Sequence, residues 1–271
     1  MKFAHFALIY ILLATAVAGQ NDTRPDEREH SEETTETSEI TSYEVLLQYS
    51  QDRLSRDLGT WRTAMFSFER RSGRRQIIWG TYRASERRSE RDQEFIGGIY
   101  RRFGKKMAVT AEGMYSPTFK YVGKFSAMGE VERDMGRGYV AHVGGRYTSY
   151  DGVKATSVYG LLEKYWTSNR IAYTLYVTNL TNAGTAPTHR VQYNRYFGER
   201  SNTIGATFSI GREHENLGPG IGILRSDTWS TAVSGRFWLT RNIGINVDGL
   251  FHKQGHLYNR RGLNVGTRIR F

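Results

Sequence analysis

The chain has no cysteine, only four prolines in 271 residues, and no apolar run beyond its first twenty residues that approaches membrane-helix length. A helix crossing a bilayer needs about 20 consecutive apolar residues. Without cysteine there are no disulfides, no thiolate metal sites and no N-terminal Cys for a lipoprotein anchor. The mean hydropathy of −0.57 is far too low for a helical membrane protein. Backbone polar groups must be satisfied internally in lipid, so the one membrane-compatible structure left open is a closed β-barrel. What the chain has in abundance is 29 glycines and 17 tyrosines. Tyr favours strands, and scarce proline leaves β-ladders uninterrupted.

The last nine residues, LNVGTRIRF, alternate strictly. Leu263, Val265, Thr267, Ile269 and Phe271 fall on one side of a strand; Asn264, Gly266, Arg268 and Arg270 fall on the other. A two-residue period ending on an aromatic is the pattern of a closing outer-membrane strand, apolar toward lipid and polar toward the lumen.

Residues 1–18 read as a secretory signal peptide: Lys2, then the apolar core FALIYILL, then Ala16-Val17-Ala18 as an A-x-A-like cleavage site. Residues 19–41 form an acidic segment. Within it, residues 21–40 carry eight acids against two arginines, a net of −6, with Ile40 as the sole apolar side chain. Such a stretch buries too little surface to offset chain entropy and is expected to be disordered. Setting this −6 and the charge of Lys2 apart from the total of +11 leaves +16 on residues 41–271. Strong basicity is compatible with nucleic-acid binding, but a secreted chain meets little nucleic acid, and none is expected as a partner. Anionic lipopolysaccharide at the rim and an anionic solute or polymer in the lumen are the expected partners.

Residues 42–271 read as a transmembrane antiparallel up-and-down barrel of about fourteen strands; one merged or missed hairpin would make it twelve or sixteen. Strands are expected near 43–51, 61–70, 76–84, 94–103, 107–115, 121–132, 139–148, 153–165, 170–178, 188–197, 203–211, 228–239, 243–251 and 263–271. Adjacent Ile77 and Ile78 leave the facing of the third open. Even-numbered connections are short. Odd-numbered ones are expected to include long loops at 52–60, 85–93, 179–187, 212–226 and 252–261. That asymmetry is usual for such barrels, with short turns periplasmic. Aromatics near strand ends, among them Tyr43, Trp61, Tyr121, Tyr147, Trp238 and Phe271, are expected in the interface girdles.

The chain resembles the YaiO-type outer-membrane β-barrel family from about Tyr43 to Phe271. The stretches that carry the resemblance are the opening strand and loop leading to Trp61, DQEFIGGIYRRFGKKMAVTAEGMYSP (92–117), HVGGRY (142–147), Arg195-Tyr196-Phe197, SIGREHENLG (209–218) and the terminal GTRIRF. The resemblance implies an outer-membrane location and an association with surface-polysaccharide synthesis and export. Insertion by the barrel-assembly machinery through the C-terminal strand is expected.

The inward set expected from alternation is Glu44, Glu69, Glu112, Lys124, Glu130, His142, Arg146, Lys154, Arg190, Arg236, Asp248, Arg268 and Arg270. As a channel lining, its bases attract anions and its acids hold arginines in place. As a filling, the same residues form a salt-bridge network that shuts a barrel of intermediate width. Catalysis at His142 with Ser126, Ser209 or Glu112 is a third reading, but no nucleophile motif selects those companions. The Gly-rich pieces lack a phosphate-loop pattern, and acids and histidines are dispersed without metal spacing. No enzyme activity, cofactor or metal is expected. Passage or binding of an anionic solute or polysaccharide stands first. A closed structural or assembly barrel comes second, and a lipid-modifying enzyme third.

Overall fold

The computed structural model describes residues 41–271 except 88, 182, 199–201 and 217–222. The expected signal peptide and all of the acidic segment but Thr41 lie outside the described residues. Fourteen strands follow in order: β1 (Thr41–Leu54), β2 (Thr60–Ser72), β3 (Gln76–Arg87), β4 (Glu90–Phe103), β5 (Met107–Tyr115), β6 (Phe125–Gly136) and β7 (Tyr139–Ser149). They continue as β8 (Lys154–Trp166), β9 (Asn169–Leu180), β10 (Gly184–Phe197), β11 (Asn202–Asn216), β12 (Ile223–Trp238), β13 (Ile243–Gln254) and β14 (Tyr258–Arg270). Each pairs antiparallel with its neighbours in sequence, and β1 pairs with β14 to close the barrel. The closing register sets Glu44 opposite Arg270 and Leu54 opposite Arg260. Beyond the last strand residue, the Phe271 and Tyr43 backbones exchange two hydrogen bonds of 2.8 and 3.0 Å. Closure leaves no unpaired sheet edge.

The burial pattern is inside-out relative to a water-soluble sheet. On β14, Leu263, Val265 and Ile269 are exposed, as is Phe271 just beyond it, while Arg260, Asn264 and Arg268 are buried. Leu47, Phe66, Phe68, Phe95, Val131, Val143, Leu162 and Val233 are likewise exposed, and Glu94, His142, Glu163 and Arg190 are buried. A soluble sandwich buries the apolar side of its alternation, whereas this wall presents it outward around the whole circumference. Soluble monomers rarely expose continuous apolar surface on that scale; a barrel bounded by lipid requires it.

Cations bound the apolar belt. At the end bearing Thr41 and Phe271, Arg70, Arg101, Arg133, Lys164 and Arg195 occupy outward positions on β2, β4, β6, β8 and β10. At the opposite end, outward-facing Arg91 pairs with Glu86 at 3.0 Å, and Arg212 pairs with Asp227 at 3.0 Å. On β4 the two outward cations are Arg91 and Arg101, ten residues apart. Ten residues of strand tilted by about 40° rise about 25 Å, the height of a lipid-facing band.

At the terminal end the turns are tight, as expected: 73–75, 104–106, 137–138 and 167–168. Gly138 shows what such a turn demands. Its φ is +78°, and a Cβ there would lie 2.3 Å from the Tyr165 carbonyl oxygen. Only glycine accepts both conditions without strain. The opposite end departs from expectation. Strands continue through most of the stretches expected as long loops: β3 and β4 reach Arg87 and Glu90, and β9 and β10 are separated only by 181–183. Backbone ladders need no apolar side chains, so the hairpins continue beyond the point where lipid-facing alternation stops. The longest connection between described elements is 116–124, whose second half was expected as strand. Ile77 is buried and Ile78 exposed, which settles the facing of β3.

Candidate functional site: the charged lumen and its inward loop

Residues of alternate parity on all fourteen strands project into one enclosed space. Their charges are largely matched, strand against strand. On β3 and β4, Arg83 and Glu94 are register partners and form a two-point ion pair, Nε to Oε2 and Nη2 to Oε1, both 2.6 Å. Arg146 on β7 donates to Glu112 on β5 at 2.9 Å and to Ser126 on β6 at 3.3 Å. Arg71 pairs with Glu69 on β2. At the closing seam, Glu44 accepts from Arg268 and, at 3.2 Å, from Arg270. Arg268 also donates to Asn246 at 3.1 Å, and the Arg270 guanidinium lies 4.3 Å from the Trp238 ring. Asp248 accepts from Asn264 at 2.7 Å.

The most deeply buried network runs along β6–β10. His142 Nδ1 is 3.0 Å from Glu130 Oε1, and Tyr159 donates to Glu130 Oε2 at 2.7 Å. His142 Nε2 lies 3.8 Å from Glu163. Glu163 accepts from Arg170 at 2.5 and 3.2 Å and from Tyr165 at 2.9 Å; Arg170 also donates to Asn194 at 3.0 Å. Burying these charges is tolerable because each has an opposite partner and further hydrogen bonds. Water nonetheless reaches part of the lumen: the Arg146 side chain is 36% exposed and that of Glu112 20%.

Arg190 on β10, like the buried Arg260, has no carboxylate in ion-pair contact among the described residues. It is 1% exposed. Its Nη1 donates to Tyr176 at 3.1 Å, and its guanidinium lies 5.0 Å from that ring. Its Nε and Nη2 have no protein partner, and neither do the buried Thr188 Oγ1 and Ser209 Oγ beside it.

The connection 116–124 lies against the inner faces of β3 and β4. Asp92, fully buried on β4, accepts the backbone N–H groups of Lys120, Tyr121 and Val122 at 2.7, 2.8 and 3.1 Å. The Tyr121 hydroxyl donates to the Ser85 carbonyl oxygen on β3. Burial pushes this phenol above its ordinary range, so it remains a donor. The Arg87 guanidinium sits 4.6 Å from the Tyr121 ring and 4.4 Å from the Trp61 ring. Trp61 packs with Leu54 and Tyr258, and a second inner cluster joins Tyr150, Ala155 and Leu180. The mouth opposite the termini is therefore lined with aromatic and aliphatic side chains, above a charged interior.

Most of the predicted inward set lies in this interior: Glu44, Glu69, Glu112, Glu130, His142, Arg146, Arg190, Arg236, Asp248, Arg268 and Arg270. Two members do not. Lys154 opens β8 on the outward parity, with Ala155 inward. Lys124 is exposed before β6, with its Nζ 5.2 Å from the Phe119 ring. The expected girdle also divides. Tyr43 stacks outward on Phe68 and Phe271 at 5.9 and 6.0 Å, and Tyr147 packs on Phe125 at 5.6 Å. Trp61, Tyr121 and Trp238 instead face inward and are buried. A strand-end aromatic packs equally well on either face, and ladder parity decides which. Carboxylates pair with Arg71, Arg83, Arg146, Arg170, Arg268 and Arg270, and much of the surplus positive charge lies on outward positions and turns. Glu94, Arg83, Glu163, Arg170 and Asp92 were missed. Their signal is cross-strand register, which a single strand's alternation does not carry.

A closed antiparallel wall with lipid-type alternation and a polar interior defines an outer-membrane-type β-barrel. The chain belongs to the family described as the YaiO membrane beta barrel domain, whose profile matches residues 42–216. No curated protein matches it. Solved structures share the fold at low identity. A bacterial polysaccharide outer membrane secretin aligns with TM-score 0.53 and 12% identity, over 87% of this chain and 99% of that one. Omp33 of Acinetobacter baumannii aligns with TM-score 0.52 and 16% identity, over 85% and 99%. The CymD monoaromatic hydrocarbon channel aligns with TM-score 0.57 and 8% identity, over 87% and 89%.

Proposed function

We propose that this protein resides in the outer membrane as a channel or binding barrel for an anionic solute or a surface polysaccharide. The observation that carries this reading is the pairing of a continuous apolar exterior with an enclosed, charged interior that water reaches at Arg146 and Glu112. The inward loop supports it. Held by Asp92 and Tyr121, it narrows one mouth while aromatic side chains line the entrance, a surface suited to the faces of sugar rings. Secretion of the chain puts the end bearing Thr41, Phe271 and the tight turns in the periplasm. The outward cations Arg70, Arg133 and Arg195 then meet phosphates of the inner leaflet, and the opposite rim meets lipopolysaccharide. The outward apolar side chains of β14, with Phe271 just beyond it, suit recognition by the barrel-assembly machinery. No catalytic role is assigned: His142 is held by Glu130 and lies beside Glu163, with no hydroxyl nucleophile in the contacts described.

Planar-bilayer recording of the purified, refolded barrel tests this reading. Expected is a steady conductance with a reversal potential favouring anions, reduced when an acidic oligosaccharide is added. A bilayer that stays silent, or a cation-selective current, overturns passage. A specific observation favours a second reading: Glu163 and His142 have side chains with no exposure at all, so the interior around that pair on β7 and β8 is packed tight. Silence in the bilayer together with stable membrane insertion selects that closed, structural barrel.

A further inference from the structure

Four of the eight buried side-chain polar atoms without a partner, among the described residues, fall in one small patch: Arg190 Nε, Arg190 Nη2, Thr188 Oγ1 and Ser209 Oγ. The sheet sets them together. Thr188 and Arg190 are successive inward residues of β10, and Ser209 on β11 is the register partner of Arg190. Thr188 faces Gly211 in that ladder, and a Cβ at Gly211 would lie 2.3 Å from the Thr188 hydroxyl. The glycine thus leaves room for this hydroxyl. Tyr176 holds the guanidinium from the β9 side through one hydrogen bond and its ring face.

The charge accounting points to an acceptor supplied from outside the chain. Arginine stays protonated in proteins, and an uncompensated buried charge is strongly destabilising. The buried Arg170 and Arg268 each meet a carboxylate, Glu163 and Glu44 respectively. Arg190 meets none, although the barrel supplies carboxylates freely elsewhere. The patch instead offers donors with nothing to donate to: Arg190 Nε and Nη2 and the hydroxyls of Thr188 and Ser209. A planar guanidinium edge, with two hydroxyl-bearing residues at neighbouring ladder positions, matches the oxygens of a carboxylate, phosphate or sulfate.

We infer that Arg190, Thr188 and Ser209 form a binding site for an oxyanion on the inner wall of β10 and β11, and that Tyr176 orients the arginine. The site rests on the solute-handling reading above and narrows it to ligands bearing a carboxylate, phosphate or sulfate group. A uronate residue of an acidic polysaccharide and free inorganic phosphate both present that chemistry.

Isothermal titration calorimetry of the full barrel in detergent tests the inference, with sodium glucuronate, inorganic phosphate and neutral galactose as probes. Glucuronate or phosphate is expected to bind and galactose not to. Arg190→Gln should weaken binding at least tenfold and Ser209→Ala a few-fold. Binding of glucuronate alone assigns the site to a sugar acid; equal binding of phosphate assigns it to oxyanions generally. Heat-modified migration on gels checks that Arg190→Gln is folded, and Ser209→Ala carries the test if it is not. Absence of heat with both anions, or full affinity in the folded Arg190→Gln or the Ser209→Ala barrel, overturns the site. Failure of the bilayer recording leaves this assay intact, so loss of the site and loss of the passage reading are distinguishable.

Discussion

Replacing Glu163 by leucine should unfold the barrel's most buried ionic network while leaving Arg170 in place. In the wild type, Glu163 Oε1 takes two N–H bonds from Arg170, and Oε2 takes the Tyr165 hydroxyl. His142 Nε2 stands 3.8 Å away. Leucine fills similar volume but supplies no acceptor. Arg170, 8% exposed at its side chain, then keeps Asn194 as its neutral partner among these contacts. A buried charge stripped of its counter-ion costs about 3–5 kcal/mol. Converting Arg170 to methionine in the same protein removes the stranded charge, and apolar replacement of a whole buried pair is often neutral. The double variant should therefore lie within about 1–2 kcal/mol of wild type, far above the sum of the singles. Equilibrium urea unfolding of the lipid-folded barrel, followed by tryptophan fluorescence, reads both. A single variant that loses under about 1 kcal/mol, or a double variant as unstable as that sum, refutes the claim that this network is a tightly paired interior.

Other consequences follow from single contacts. Asp92→Asn leaves one oxygen for three backbone N–H groups, so the loop 116–124 should be nicked by protease at least several-fold faster, at a cost of about 1–3 kcal/mol; unchanged nicking contradicts the role given to Asp92. Gly138→Ala places a methyl against the Tyr165 carbonyl at a left-handed φ, and should lower the urea midpoint by an amount equivalent to about 1–3 kcal/mol. An unshifted midpoint would show that the turn relaxes. Deleting Phe271 removes two backbone hydrogen bonds to Tyr43 and the ring against it, and should cost about 1–2 kcal/mol and lower the folded yield in lipid vesicles; an unchanged yield speaks against a part for the last residue in closure.

How much of this was legible beforehand depended on what each residue needed to know. The strand at 107–115 was read with its exact bounds because Met107, Val109 and Ala111 alternate with Ala108, Thr110 and Glu112 inside two clear turns. The strand count and the closing β14 were legible for the same reason. Facing was lost at Lys154, where the alternation of β8 begins with small and polar residues. The segment around Tyr121 read as strand because Tyr, Val and Phe favour strands, yet Asp92, far back in sequence, draws it into the barrel. Cross-strand pairs such as Arg83 with Glu94 depend on a register that neither strand encodes alone. The unpaired state of Arg190 was invisible for the converse reason: it is a statement about what its neighbours lack.

The central claim is that the apolar face meets lipid and the polar face encloses a lumen. Because the chain has no cysteine, it can be tested by single-cysteine labelling in vesicles. Val131, Val158 and Leu162 on the outward face, and Gln48, Thr110 and Ser157 on the inward face, are each replaced by cysteine and given a nitroxide. Accessibility to oxygen and to a water-soluble nickel chelate is then compared. The account predicts oxygen-rich, nickel-poor signals at the first three positions and lower oxygen access with measurable nickel access at the second three. Equal nickel access on both faces would contradict it.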